Sequence, residues 1–141
     1  MVGILLVTHG PYATALIESV EMVYGKQEKI ESVYLSQGES VEKLQDKINE
    51  AINTLNCEQV LIMVDILGGT PYTAGAIKLE NPNINVITGI NMPMLLEILP
   101  HRNEDLKVLS KIAAESGKNG IVDVKEKYEM INKNKLDNNS L

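Results

Sequence analysis

An α/β domain with a mainly parallel central sheet between two helical layers is predicted by three features of this sequence. Short continuous apolar runs recur along it, stretches with apolar residues at helical spacing separate them, and glycine or proline punctuates most of the changeovers. A chain of 141 residues is expected to form one domain and can bury a sizeable core without disulfides or metals.

The elements follow in order. Residues 2 to 7, Val-Gly-Ile-Leu-Leu-Val, have the character of a strand buried on both faces. Thr8-His9-Gly10-Pro11 breaks that run, and Ala13, Leu16, Ile17, Val20, Val23 and Tyr24 then follow a helical period up to Gly25, placed to end the helix. Ile30 to Leu35 reads as a second strand and Gly38 as a turn; Ser40 is an N-cap for a helix striped by Val41, Leu44, Ile48, Ile52 and Leu55. Gln59 to Val64 is a third strand, running into Asp65-Ile66-Leu67-Gly68-Gly69-Thr70-Pro71. Thr70 as N-cap and Pro71 at the first helical position start a helix to about Leu79. Ile84 to Thr88 is a fourth strand, Pro93 opens another helix, and Glu104 to Ser116 forms a further one stopped by Gly117. Gly120 to Val124 is a last strand candidate that breaks the alternation and could join the sheet edge in either direction. From Lys125 to Leu141 the chain is charged and Asn-rich, which predicts a frayed helix passing into a disordered tail.

Composition narrows the functions available. Phe and Trp are absent and Tyr, at five, is the only aromatic, so the core must be aliphatic. A net charge of −6 and the lack of a Lys/Arg cluster leave no field for a nucleic-acid backbone. Cys57 is the only cysteine, no signal peptide is expected before the first apolar run, and that run is too short to span a bilayer. The expected location is the cytoplasm.

The residues that stand out fall at strand ends. Ligands of open parallel sheets bind at the carboxyl ends of the strands. His9 follows the first strand, Asp65 the third, and Asn91 comes shortly after the fourth, so neighbouring strands would bring them to one rim. Each has a plainer reading, as a packing histidine, a turn aspartate or a tight loop. Together they offer an imidazole, a carboxylate and a glycine turn at a helix start. Neutral imidazole is a nucleophile near pH 7, its reference pKa being about 6.5. A carboxylate such as Asp65 fixes its tautomer, and backbone N–H groups of Gly68, Gly69 and Thr70 can hold a phosphoryl dianion without a cation. No phosphate-cradling G-x-x-x-x-G-K-[ST] loop, dinucleotide G-x-G-x-x-G, metal-ligand spacing or G-x-S-x-G elbow occurs, so neither a cofactor nor a metal is expected.

Thr8-His9-Gly10, Leu61-Ile62-Met63-Val64-Asp65 leading to Gly68-Gly69-Thr70-Pro71, and Gly89-Ile90-Asn91-Met92-Pro93-Met94-Leu95 occur in that order. Over residues 1 to 124 the chain resembles the mannose-family IIA component, type 4, of the bacterial phosphoenolpyruvate-dependent sugar phosphotransferase system. The resemblance implies that His9 takes a phosphoryl group from the carrier HPr, that Asp65 hydrogen-bonds His9, and that a IIB component receives the group for sugar uptake through the membrane components IIC and IID. It also implies a homodimer that exchanges an antiparallel edge strand, a part that Gly120 to Val124 would fill. Pro11 and Leu67 stand where relatives carry aromatics, and with Tyr12, Asn91 and Met92 they would shape the rim that meets the partners. IIB is expected to be a separate protein.

Two other classes of function are compatible with these residues. One is the phosphoryl-carrying subunit of a dihydroxyacetone kinase, and the other a non-catalytic regulator that binds an anion at Gly68 to Thr70. His101 is expected to be an exposed loop residue, Cys57 a packing residue, and Met92 and Met94 partly exposed beside His9.

Overall fold

The computed structural model describes residues 1–139. Its sheet has four strands, β1 (Gly3–His9), β2 (Ile30–Leu35), β3 (Val60–Val64) and β4 (Ile84–Ile87), all parallel and in the order β2-β1-β3-β4. Val7 of β1 lies opposite Val33 of β2 and Val64 of β3, so β1 runs two residues beyond the end of β3, to His9.

Alternation along the strands divides the core in two, because successive side chains point to opposite faces. Ile4, Leu6, Leu61 and Met63 face α1 (Tyr12–Tyr24), α4 (Met92–Ile98) and α5 (Leu106–Asn119). Leu5, Val7, Ile62 and Val64 face α2 (Val41–Leu55) and α3 (Thr70–Ala76). The chain steps outward from β1 to β2 and then back across β1 to β3, so right-handed crossovers must place α1 and α2 on opposite faces. Ile4, Leu5, Leu6, Leu61, Ile62 and Met63 are wholly buried, and the core is aliphatic, as the composition requires.

Local chemistry accounts for most of the boundaries. Gly25, at φ +85°, ends α1 by donating its N–H to the Glu21 carbonyl. Ser40 caps α2, its hydroxyl accepting the Lys43 N–H at 3.1 Å. β1 extends through Thr8 and His9, beyond the break expected after Val7, because β2 continues alongside as far as Leu35. The N-cap of α3 is Gly69 rather than Thr70, which is the first helical residue, and the helix tightens into a 3₁₀ turn over Ile77–Glu80.

Two expectations near the carboxyl terminus are corrected. Gly117 does not stop α5. It lies inside the helix against Met94, where an added Cβ would come within 2.7 Å of the methionine Cε, so glycine serves close packing there. Gly120 to Val124 is not a strand, and among the described residues there is no antiparallel strand. α5 continues to Asn119, and Asp123 caps a helix instead, its Oδ1 accepting the Glu126 N–H at 3.1 Å. A strand is made by its ladder, and within this protomer residues 120 to 124 pair with no strand: β4, the last strand of the sheet, keeps an unpaired outer edge, and the chain turns into a helix instead. α6 (Val124–Asn139) follows, with no buried residue; the tail expected from Lys125 to Leu141 is described only to Asn139, and Ser140 and Leu141 lie outside the described residues.

The amino ends of the strands are closed by a residue that drew no attention in the sequence. Arg102, 4% exposed, donates to the carbonyls of Val2, Glu28 and Lys29, and burial pulls its pKa below the ordinary arginine value.

Candidate active site

In the order β2-β1-β3-β4 the chain changes direction between β1 and β3, and the crevice at the carboxyl ends of two such strands is where open α/β sheets bind ligands. His9 ends β1 and Asp65 follows β3, so both lie at that crevice.

Thr8 fixes how His9 is presented. Its side chain is buried, and its hydroxyl accepts the Ala13 N–H at 2.8 Å and donates to the Gly10 carbonyl at 3.2 Å, tying the strand end to the first turn of α1. Gly10 turns the chain at φ +55° and donates its N–H to the Leu35 carbonyl. His9 is held by its backbone while its side chain stays 47% exposed. Thr8 was missed in the sequence, although a threonine just before a helix start is itself a capping signal.

Asp65 grips both ends of His9. Its Oδ2 accepts the His9 backbone N–H at 2.8 Å and lies 2.8 Å from the ring Nδ1, while Oδ1 accepts the Ile66 N–H at 3.0 Å. Burial raises the Asp65 pKa, but the hydrogen bonds from His9 and Ile66 and the imidazole charge outweigh it, holding the group below the usual carboxylate range. An ionised carboxylate only accepts, so the Nδ1 proton points at Asp65 and the lone pair of neutral His9 sits on Nε2.

What faces Nε2 is a glycine. A Cβ built on Gly69 would lie 3.4 Å from Cε1 and 3.6 Å from Nε2 of His9. Gly69 adopts φ +83° and Gly68 φ +87°, a left-handed pair that turns the chain into α3, with Thr70 its first residue. The crevice brings His9, Asp65 and Gly69 together; Gly68 and Thr70 flank Gly69 in the chain.

The rim is uneven. Pro11, Tyr12 and Leu67 are exposed, Leu67 at 75%, and Met92 is partly exposed, packing against the core. Asn91 is committed at both ends of its amide: Oδ1 caps α4 by accepting the Met94 N–H, and Nδ2 donates to the Gly117 carbonyl. Met94 is buried, against expectation, because it shares with Leu95 and Ile98 the face of α4 that packs on the core, where its side chain meets Gly117. His101 stands in a short 3₁₀ turn, Leu99–His101, only partly exposed, and neighbours Arg102 at the opposite end of β1 from His9. Cys57 is half-buried against Gly3. Beside His9 a cleft of about 500 Å³ opens toward Pro11, Tyr34 and the Ser36 to Glu39 turn. Over that turn Lys47 of α2 lies 2.7 Å from Glu39, and this bond, with the Ser36 N–H, lowers the Glu39 pKa to about 2. Among the described residues no cluster of His, Cys, Asp and Glu could hold a metal ion, and no helix is long and apolar enough to cross a membrane.

The family model for the mannose-type IIA component, described as the PTS system fructose IIA component, matches residues 3–114. The chain belongs to this family. This IIA component is 36% identical over 104 residues to the fructose-specific EIIA component of Bacillus subtilis (strain 168), covering 72% of this chain and 71% of that one. It is 35% identical over 130 residues to the mannose-specific EIIAB component of Escherichia coli (strain K12), covering 89% of this chain but only 40% of that longer protein. The crystal structure of the phosphotransferase system component EIIA from Streptococcus agalactiae superposes with a TM-score of 0.81 at 27% identity, over 89% of this chain and 99% of that one. The protein is a phosphoryl carrier of the sugar phosphotransferase system, a phosphotransferase component on an α/β fold.

Proposed function

We propose that Nε2 of His9 is the atom that carries the phosphoryl group, received from phospho-HPr and given to a IIB component. The observation that supports this reading is the 2.8 Å bond between Asp65 Oδ2 and His9 Nδ1, which leaves the lone pair on Nε2, on the ring edge that lies beside Gly69. In the transfer, the phosphorus of the donor's phosphohistidine bonds to Nε2 as its bond to the donor nitrogen breaks, and the donor ring leaves with that electron pair. His9 keeps its Nδ1 proton and becomes a phosphorylated imidazolium, whose charge the Asp65 carboxylate stabilises. Gly68, Gly69 and Thr70 supply the backbone N–H groups that hold the phosphoryl oxygens, so positioning and electrostatics do the catalytic work. Onward transfer to IIB reverses the step with a new acceptor.

Pro11, Tyr12, Leu67, Asn91 and Met92 form the rim that both partners meet, with the residues 1–124 as the working domain. IIC and IID, the membrane components, act only through IIB. The relatives are named for fructose and mannose; the sugar is recognised elsewhere in the relay, and no residue of this chain is assigned to it. A homodimer completes the reading. Ile121, Val122 and Val124 are 79%, 48% and 75% exposed, and a largely apolar groove of about 550 Å³ lies along β4 between Tyr72, Leu79, Ile87 and Ile121. Residues 120 to 124 of a second copy would pair with that edge.

Incubation with phospho-HPr and then with candidate IIB proteins tests the route. Phosphate mapped to Nε2 of His9 and discharged by IIB is the expected result; phosphate retained against every IIB, or discharged only by a dihydroxyacetone kinase complex, overturns the acceptor assignment. A monomeric mass at micromolar concentration contradicts the dimer.

A further inference from the structure

Tyr12 begins α1 three residues after His9, and its ring is 43% exposed. Its hydroxyl does not face solvent freely: it donates to the Ile90 carbonyl at 2.9 Å, across to the loop after β4. Ile90 is buried, and its own N–H donates to the Val64 carbonyl at 3.2 Å, the residue before Asp65. Asp65 in turn holds the His9 ring and backbone. Followed around, these bonds close on themselves: His9, through the short turn to Tyr12, to Ile90, to Val64 and Asp65, and back to His9. The peptide groups of Ile90 thus stitch the loop that carries the imidazole to the loop that carries its carboxylate. The Ile90 side is itself anchored, since the next residue, Asn91, caps α4 and binds the Gly117 carbonyl.

We propose that Tyr12 is a positioning residue for phosphoryl transfer, whose hydroxyl, bound to the Ile90 carbonyl, closes a hydrogen-bonded ring that keeps Asp65 on Nδ1 of His9. The physical need is clear from the exposure of His9. A half-exposed ring has few packing contacts to fix its angle, and in-line transfer tolerates little displacement of the attacking nitrogen. A tie between the two loops supplies the rigidity that packing does not. Part of it is backed up by Thr8 and by the Ile90 to Val64 bond, so losing the hydroxyl loosens the site without dismantling it.

The test is Tyr12→Phe in the full chain, which removes one oxygen and keeps the rim surface. Nitrogen-15 shifts of the His9 ring report how fully the proton stays on Nδ1, and they are read on folded protein, so a change in stability does not mask them. The expected result is a mixed tautomer population, together with faster exchange of the Ile90 N–H. Phosphorylation of His9 by phospho-HPr should slow by roughly two- to tenfold, the range for one lost hydrogen bond, in kcat rather than KM. Unchanged ring shifts in Tyr12→Phe overturn the proposal, as does a change in KM alone, which would make Tyr12 a partner contact only. The kinetic arm rests on His9 being the phosphoryl acceptor, whereas the ring measurement does not. A wild type that takes up no phosphate therefore counts against that function and leaves the tautomer comparison to decide the role of Tyr12.

Discussion

Gly69 stands against the one nitrogen of His9 that Asp65 leaves uncovered: a Cβ at residue 69 would come within 3.6 Å of Nε2. The glycine is required twice, by its left-handed backbone and by what a side chain would cover. Gly68 has the same backbone requirement with open space around it, so the pair separates the two effects. Gly68→Ala and Gly69→Ala should each lose about 1 kcal/mol of stability or somewhat more, by the strain of a left-handed alanine. Only Gly69→Ala should add a loss of phosphorylation rate of about tenfold or greater at matched folded fraction. Equal rates in the two variants would mean that Nε2 is not the atom approached from that side.

Asp65→Asn removes the charge and keeps the shape. Loss of a charge-assisted hydrogen bond is worth about 1.5–3 kcal/mol, so His9 phosphorylation should fall roughly 10- to 150-fold while the fold survives. Stopped-flow or quench kinetics checks the rate, and an unchanged rate removes Asp65 from the mechanism. The sign of the pH effect also follows. A carboxylate with a depressed folded pKa contributes stability above its unfolded value, near 3.9, and that contribution is lost as pH falls through the folded value. Acid unfolding of Asp65→Asn should accordingly lack this part of the pH dependence.

The same linkage has a second and separable source. Glu39 titrates at about 2 rather than 4.5, first because of Lys47 and then because of Ser36. Lys47→Met should raise the Glu39 value toward 4.5, followed by carbon-13 shifts of the carboxyl through an acid titration. In the wild type this pair stabilises fully above about 4.5 and ceases to do so as pH falls toward about 2. A titration of Glu39 that stays put in Lys47→Met would show that the Ser36 N–H alone sets it.

Arg102 offers a prediction about stability without chemistry. Arg102→Met takes the donor from the carbonyls of Val2 and Glu28 at the amino end of the sheet and leaves that of Lys29 only the Ile4 N–H, which should destabilise by about 2–4 kcal/mol. For a domain of this size that lowers Tm by roughly 5–15 °C. The phosphorylation rate of the folded fraction should not change, since the residue sits at the far end of β1 from His9. A rate loss beyond the loss of folded protein would contradict that separation.

The rim of the sheet was legible because the continuous apolar runs end at Val7 and Val64, which puts His9 and Asp65 at strand ends. What stayed hidden depends on contacts distant in sequence. Gly117 looks like a helix stop and is a packing glycine because Met94 presses on it. Ile121 to Val124 has strand-forming residues, but a strand needs an edge, and the sequence does not say which edges are free. Met94 and Met92 look alike on paper, and it is the phase of α4, which turns Met94 with Leu95 and Ile98 toward the core, that separates them. Arg102 and the Tyr12 hydroxyl act on carbonyls, which every residue carries and no pattern marks.

The central claim is that His9 carries the phosphoryl group, and intact-protein mass after incubation with phosphoenolpyruvate, enzyme I and HPr tests it most directly. The wild type should gain one acid-labile phosphoryl group and His9→Ala none. No gain by the wild type with active upstream proteins, or an equal gain by His9→Ala, would contradict it.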